Sequence, residues 1–315
     1  MTIIPYDSNK MGIWNKFNAE AKNGNFMFDR NYMEYHANRF KDASLLFYEE
    51  NTLVAILPAS LKENAMYSHG GLTFGGFIFS NRTKQAQVLA LFDELINYLK
   101  MLKISILYYK PVPNIYHSSP AEEDIYALFR NNAVLIGRNA ASVLNLPAEL
   151  AYSKGRKWSV KKAKSNNLKV EESSDFEAFF NIEKELLAQK YDAKPVHSVA
   201  EMSDLAAKFP ENIRLFCCYA DNELIGGVLV YINRHLVHCQ YIGANEKGYE
   251  LGAIDFLIDY LLDYFKNSHK IFDFGTSNAD NGHYLEKNLI QFKESFGGRT
   301  TCYDIYKLEI PRSEE

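Results

Sequence analysis

Positive charge is not in excess: 35 Lys and Arg stand against 39 Asp and Glu, a net charge of −4. That leaves no global attraction to nucleic acid or to an acidic membrane, so any anion site must be local and no DNA partner is expected. Cysteine is scarce, with only Cys217, Cys218, Cys239 and Cys302. None has zinc-like spacing and no disulfide framework is suggested. They read as buried free thiols, the adjacent Cys217 and Cys218 pointing to opposite faces of a strand. No apolar run approaches the ~20 residues of a membrane span, and the opening MTIIPYDSNKMGIW has no h-region of signal-peptide length. A reducing cytoplasm is the expected location. His235 and His238 would face opposite sides of a strand, so no metal site is expected. No Ser/His/Asp or Cys/His arrangement is supported by spacing.

What is present is core-forming material. Hydrophobic residues make up 47% of the chain and charged residues 23%, a globular balance. With 21 Tyr and 21 Phe, aromatic burial is large, and tyrosine tips can line a cleft.

The informative feature is an internal repeat. In VLALFDELINYLK, residues 88–100, Val88, Leu91, Phe92, Leu95, Ile96 and Leu99 form an amphipathic stripe. In IDFLIDYLLDYFK, residues 254–266, Ile254, Leu257, Ile258, Leu261, Leu262 and Phe265 repeat it. Asp93, Tyr98 and Lys100 recur as Asp259, Tyr264 and Lys266, matches that apolar periodicity does not force. Each helix precedes a strand-like run, ISILYY after the first and IFDFG after the second. Each follows a hairpin, turning at Glu50-Asn51 and at Asp221-Asn222. A helical stretch is expected over 122–130, and alternating strands close both halves. Antiparallel strands, a helix and a returning strand, used twice, predict an α+β fold of two α/β/α lobes. The expected domains are 1–150, a basic connecting segment 151–174, and 175–315, with Asp175 capping the next helix.

The order of elements resembles the GNAT acyltransferase fold used in tandem, as in FemAB-like proteins. The residues that carry the likeness are RKWSVKKAKSNNLKVE, NEKGYELGAIDFLIDYLLDYFK, FDFGTS and LIQFKESFGGRTTCYDIYKLEI. The resemblance implies N-acyl transfer from an acyl-CoA or an aminoacyl-tRNA to an amine, on a small-molecule or lipid-linked cell-envelope or polysaccharide precursor. Acyl-CoA would be a co-substrate rather than a tightly bound cofactor. The acetyl-CoA loop of that superfamily reads Gln/Arg-x-x-Gly-x-Gly/Ala; here Gly248, Gly252 and Ala253 stand at the matching turn with different spacing.

Candidate residues follow from acyl-transfer chemistry, which needs a neutral amine, a stabilised oxyanion and a protonated leaving group. Gly248, Gly252 and Ala253 precede a helix whose amide groups suit a pyrophosphate. Asp273, between two Phe, is a general-base candidate if burial raises its pKa. Tyr241, in LVHCQY, is a candidate proton donor to the leaving group. The resemblance points to Lys293 for stabilising developing negative charge. Seven cations fall within residues 154–169, and Arg156, Lys157 and Lys161 among them are candidate substrate-phosphate or tRNA contacts. Trp158 is expected to pack this segment onto the core. The resemblance adds His69 and Gly71, beside the acceptor. Two other readings compete: a non-catalytic binding module on a duplicated fold, and an RNA-binding protein, for which no recognised signature is present.

Overall fold

A left-handed residue sets the first hairpin: Glu50 takes φ +54° between β1 (Leu45–Glu49) and β2 (Thr52–Leu57). Helix α1 (Gln85–Met101) then buries Val88, Leu91, Phe92, Leu95 and Leu99, the predicted stripe apart from the half-buried Ile96. Strand β3 (Ile106–Tyr109), helix α2 (Glu123–Arg130) and strand β4 (Val134–Asn145) complete this half. The computed structural model describes residues 1–148, 151–191 and 196–311.

The basic segment is itself structured. Helix α3 (Lys154–Ser165) starts at the Ser153 cap, and strand β5 (Lys169–Ser173) follows. Asp175 caps α4 (Phe176–Tyr191) by accepting from the Ala178 amide at 2.9 Å. After α5 (Val199–Lys208) come β6 (Ile213–Ala220) and β7 (Glu223–Ile232), joined at Asp221 and Asn222, both with positive φ. Strand β8 (Leu236–Ala244), the short helix α6 (Glu246–Leu251), α7 (Ala253–Phe265) and β9 (Ile271–Thr276) follow, then α8 (Lys287–Glu294) and β10 (Arg299–Glu309). On α7, Ile254, Leu257, Ile258, Leu261, Leu262 and Phe265 are buried, as the repeat predicts. Each such side chain stabilises the fold by about 1.5–3 kcal/mol.

The chain forms two units. Unit 1 is Met1–Ala140, Asn278–Tyr284 and Cys302–Glu315; unit 2 is Ala141–Ser277 and Leu285–Thr301. This differs from the division at 150 and 175. Segment 151–174 is no connector, because β5 pairs with β6 as a strand of the unit 2 sheet. The chain end from Cys302 joins unit 1, where β10 pairs with β3. Alternation marks β10 as a strand but does not say which neighbour its edges will find.

Unit 2 is built on strands in the order β5-β6-β7-β8-β9, with the end of β4 beside β9. All pairs are antiparallel except β8 with β9. Helix α7 covers one face through a core that includes Val237, Cys239, Phe272 and Phe274. In unit 1, α1 and α2 share a core with β1, β2 and β3. Cys217, Cys218 and Cys239 are buried free thiols, whereas Cys302 is exposed, contrary to the reading of all four as buried.

Candidate functional site

The parallel pairing of β8 and β9 is short. It comprises Leu236 with Ile271, Val237 with Phe272, and His238 with Asp273. Beyond that point β8 runs on to Ala244 and β9 to Thr276 without pairing to each other, so a wedge opens between two strands of one sheet. Val237, Cys239, Phe272 and Phe274 point into the core under α7, so His238 and Asp273 point to the opposite face. Helix α4 covers that face. Phe179 lies against Gly227, and Glu183 lies so close to Gly243 that a Cβ there would collide with its carboxylate.

At the apex of the wedge, Asp273 is fully buried. Its Oδ2 accepts from His238 Nδ1 at 2.7 Å and its Oδ1 from the Gly275 amide at 2.7 Å. A carboxylate on Nδ1 fixes the imidazole tautomer and leaves Nε2 as the basic nitrogen. Gly275 has φ +74°, and a Cβ there would stand 3.0 Å from His238 Cε1, so glycine is needed both for the backbone and for the imidazole. Lys293, on α8, is buried, and its Nζ donates to the carbonyls of Gly275 at 2.9 Å and Thr276 at 2.7 Å. Burial lowers its pKa to about 8, against the opposing pull of the Asp273 and Cys239 side chains.

Further along β8, the register against β7 shifts: Val230 faces Cys239 and Leu229 faces Tyr241, leaving Gln240 as an extra residue. That bulge returns Tyr241 to the α4 side, where its ring meets Phe180 at 5.3 Å and its hydroxyl lies 2.8 Å from His197 Nδ1. Glu183 is 4% exposed, and its Oε1 has no hydrogen-bond partner among the described residues. Burial pushes its pKa up to about 7. Among the described residues no three His, Cys, Asp or Glu side chains gather to hold a metal ion, and no helix is long and apolar enough to cross a membrane.

Residues 155–287 match the family model described as an acetyltransferase (GNAT) domain. A crystal structure of FemX superposes with a TM-score of 0.68 at 10% identity, over 98% of this chain and 97% of that one. A tandem GNAT protein from the clavulanic acid biosynthesis pathway gives 0.56 at 13% identity, over 99% of both chains. The chain has the tandem GNAT fold. L-PGS from Bacillus licheniformis is also similar, with 0.62 at 9% identity over 96% and 90% of the two chains. No curated protein matches the chain in sequence.

Within the second GNAT unit, Asp273 of β9 and Lys293 of α8 come together at the apex, and Tyr241 stands on β8, the strand of His238. The glycine turn is arranged differently from expectation. The Gly248 amide is bonded to the Asn245 side chain at 2.8 Å and the Gly252 amide to the Tyr249 carbonyl at 3.3 Å. Gly252 (φ +81°) joins α6 to α7, Ala253 is fully buried, and a Cβ on Gly252 would meet Ser159 Oγ of α3 at 2.8 Å. The adjoining cavity of about 540 Å³ is lined by Glu185, Glu246 and Glu250 and by no cation. The Gly248 and Gly252 amides are thus engaged within the turn itself, which differs from the open pyrophosphate cradle expected there.

Helix α3 accounts for that closure. Arg156 reaches inward to Asp255 Oδ1 at 2.6 Å and Ser295 Oγ at 2.7 Å, over the Phe292 ring, and so braces α3 against the fold. Lys157 and Lys161 are exposed on the outer side, and so is Trp158, which was expected to pack inward. In the first GNAT unit, His69 (φ +62°) is buried against the His36 ring at 5.0 Å, and burial holds its pKa well below the usual range. It lines a cavity of about 30 Å³, room for about one water. A Cβ on Gly71 would collide with the His36 ring. The cavity beside His69 is too small for a substrate.

Sequence reasoning missed His238, weighed only as half of a metal pair. It also missed Glu183, whose signal was present: in FEAFFNIEKELL, Glu183 falls on the stripe that begins with Phe176, Phe179 and Phe180.

Proposed function

We propose that the protein is an N-acyltransferase that moves an acyl group from an activated ester or thioester to an amine. The observation that carries this reading is the His238–Asp273 pair at the apex of the wedge, with Lys293 behind it. His238 Nε2 takes the proton from the attacking amine as nitrogen bonds to the acyl carbon. Asp273 orients the imidazole and offsets its charge. The Lys293 ammonium lends positive potential to the tetrahedral oxyanion while holding the Gly275–Thr276 turn. As the carbon–oxygen or carbon–sulfur bond breaks, Tyr241 or the protonated His238 supplies the leaving group's proton.

The acceptor we favour is the amine of a cell-envelope or polysaccharide precursor, handled in the cytoplasm, in keeping with the fold shared with FemX. The donor is an acyl-CoA bound away from the closed glycine turn, or an aminoacyl-tRNA. The closed turn also favours a second reading, a binding module that keeps the fold without the chemistry.

Hydroxylamine as a generic amine separates these. The protein is incubated with hydroxylamine and either acetyl-CoA or aminoacyl-tRNA, and hydroxamate is measured against His238→Ala. Hydroxamate that depends on His238 supports the transferase and names the donor class. None with either donor leaves the binding module.

A further inference from the structure

Helix α3 presents two chemically distinct sides. Its inner side buries Val160 and Ala163 and turns Arg156 to Asp255 and Lys164 to Asp259. On its outer side Lys154, Lys157, Trp158 and Lys161 follow at i, i+3, i+4 and i+7, which places them on one face. All four are exposed, Trp158 by 65%. Lys162, beside them, sets its ammonium 5.4 Å from the centre of the Trp158 ring.

This face opposes the helix that carries it. The first turn has no acidic residue, and Lys154, Arg156 and Lys157 stand at the positive end of the helix dipole. The outer lysines repel one another at helical spacing. A Cβ on Gly155 would have nothing within 4 Å, so the first turn looks onto open space. An anionic partner would relieve all of this at once.

We propose that this face docks the protein on an anionic lipid surface. The outward charges are all lysines, whereas the one arginine, whose fork suits paired phosphate recognition, is turned inward. A point-charge array suits a diffuse negative surface. One exposed indole among lysines has the chemistry of the headgroup boundary, where tryptophan sits with its ring partly apolar and its N–H wet. A single-stranded nucleic acid would ask for several aromatic platforms rather than one. Each lysine contributes on the order of fivefold in affinity for an anionic bilayer, so attachment is reversible and screened by salt. The proposal does not depend on acyl transfer.

The intact protein is sedimented with vesicles of phosphatidylglycerol and phosphatidylcholine in equal parts, and with phosphatidylcholine alone. Of the two tryptophans, Trp14 is fully buried, so a blue shift of emission on vesicle addition reports Trp158. Binding is expected only with phosphatidylglycerol and should fall as salt rises. It should be lost in K154E/K157E/K161E, and in Trp158→Ala it should fall several-fold with no blue shift. Unchanged urea unfolding of the variants shows that the fold is kept. The proposal is overturned if the wild type ignores phosphatidylglycerol vesicles at low salt or if the charge-reversed variant binds them equally well. It is also overturned if these lysines serve tRNA binding while the vesicles are ignored.

Discussion

His238 Nδ1 lies 2.7 Å from Asp273 Oδ2, and the carboxylate it meets has no exposure to solvent. The pair is held from three sides: by the β8–β9 register, by the Gly275 amide on the other carboxylate oxygen, and by the need for glycine at 275. Asp273→Asn keeps the shape but can present its amide N–H to Nδ1 and move the imidazole proton to Nε2. Acyl transfer should fall by about 10²–10⁴-fold, the usual worth of a positioned base. Asp273→Ala should also destabilise by about 1–3 kcal/mol, because the buried Gly275 amide loses its acceptor. Steady-state kinetics beside urea unfolding separates the two effects; full activity in Asp273→Asn would remove His238 as the base.

Glu183 should make stability fall as pH rises. Its folded pKa is about 7 against an ordinary 4.5, so between these values the native state holds a proton that the unfolded chain has released. The stability tied to that proton is fully present below about 4.5 and lost as pH rises through about 7, roughly 3 kcal/mol in all. Glu183→Gln should unfold at nearly the same urea concentration as wild type at low pH and at a higher one in alkaline buffer. A constant gap between the two proteins across that range would show that the carboxyl is not raised.

Local patterns were legible and distant pairings were not. The stripes of α1 and α7 and the turns at Glu50 and Asp221–Asn222 are fixed by neighbours within a few residues. The wedge at His238 and Asp273 depends on how two strands 35 residues apart register, and nothing in LVHCQY or IFDFG states that register. Trp158 shows the same limit within one helix. In α3 the buried residues are Val160 and Ala163, and a residue two positions before Val160 lies about 200° around the helix, facing away from the core. With cations at half its positions, α3 has too few apolar residues to reveal its inner side. The closure of the Gly252 turn was likewise hidden, because it depends on Ser159 and Ala163 arriving from a separate helix.

Gly275→Ala tests whether the apex geometry matters more to activity than to folding. The backbone strain of a side chain at φ +74° costs about 1–2 kcal/mol. The new methyl also pushes on His238 Cε1, and a displacement of about 1 Å at a catalytic group costs on the order of 10²-fold in rate. Activity should therefore fall much further than the modest drop in melting temperature would explain. Parallel losses, with residual activity tracking the folded fraction, would make Gly275 a structural glycine only.

Lys293→Met should expose the opposite pH signature. The folded lysine has a pKa of about 8 against 10.5, so between these values the unfolded chain holds a proton that the native protein has shed. Wild-type stability should then rise with pH across that window, by roughly 3 kcal/mol, and the slope should vanish in the variant. The carbonyls of Gly275 and Thr276 lose their donor, a penalty of about 1–3 kcal/mol that is independent of pH. Two pH-dependent unfolding series therefore distinguish a charge effect, which changes the slope, from a packing effect, which shifts the whole curve. For catalysis, loss of a charge near the oxyanion predicts a fall in kcat of about 10²–10³-fold with little change in KM. If KM rises instead with kcat unchanged, Lys293 serves ground-state binding, and the oxyanion must be stabilised by another group in the wedge.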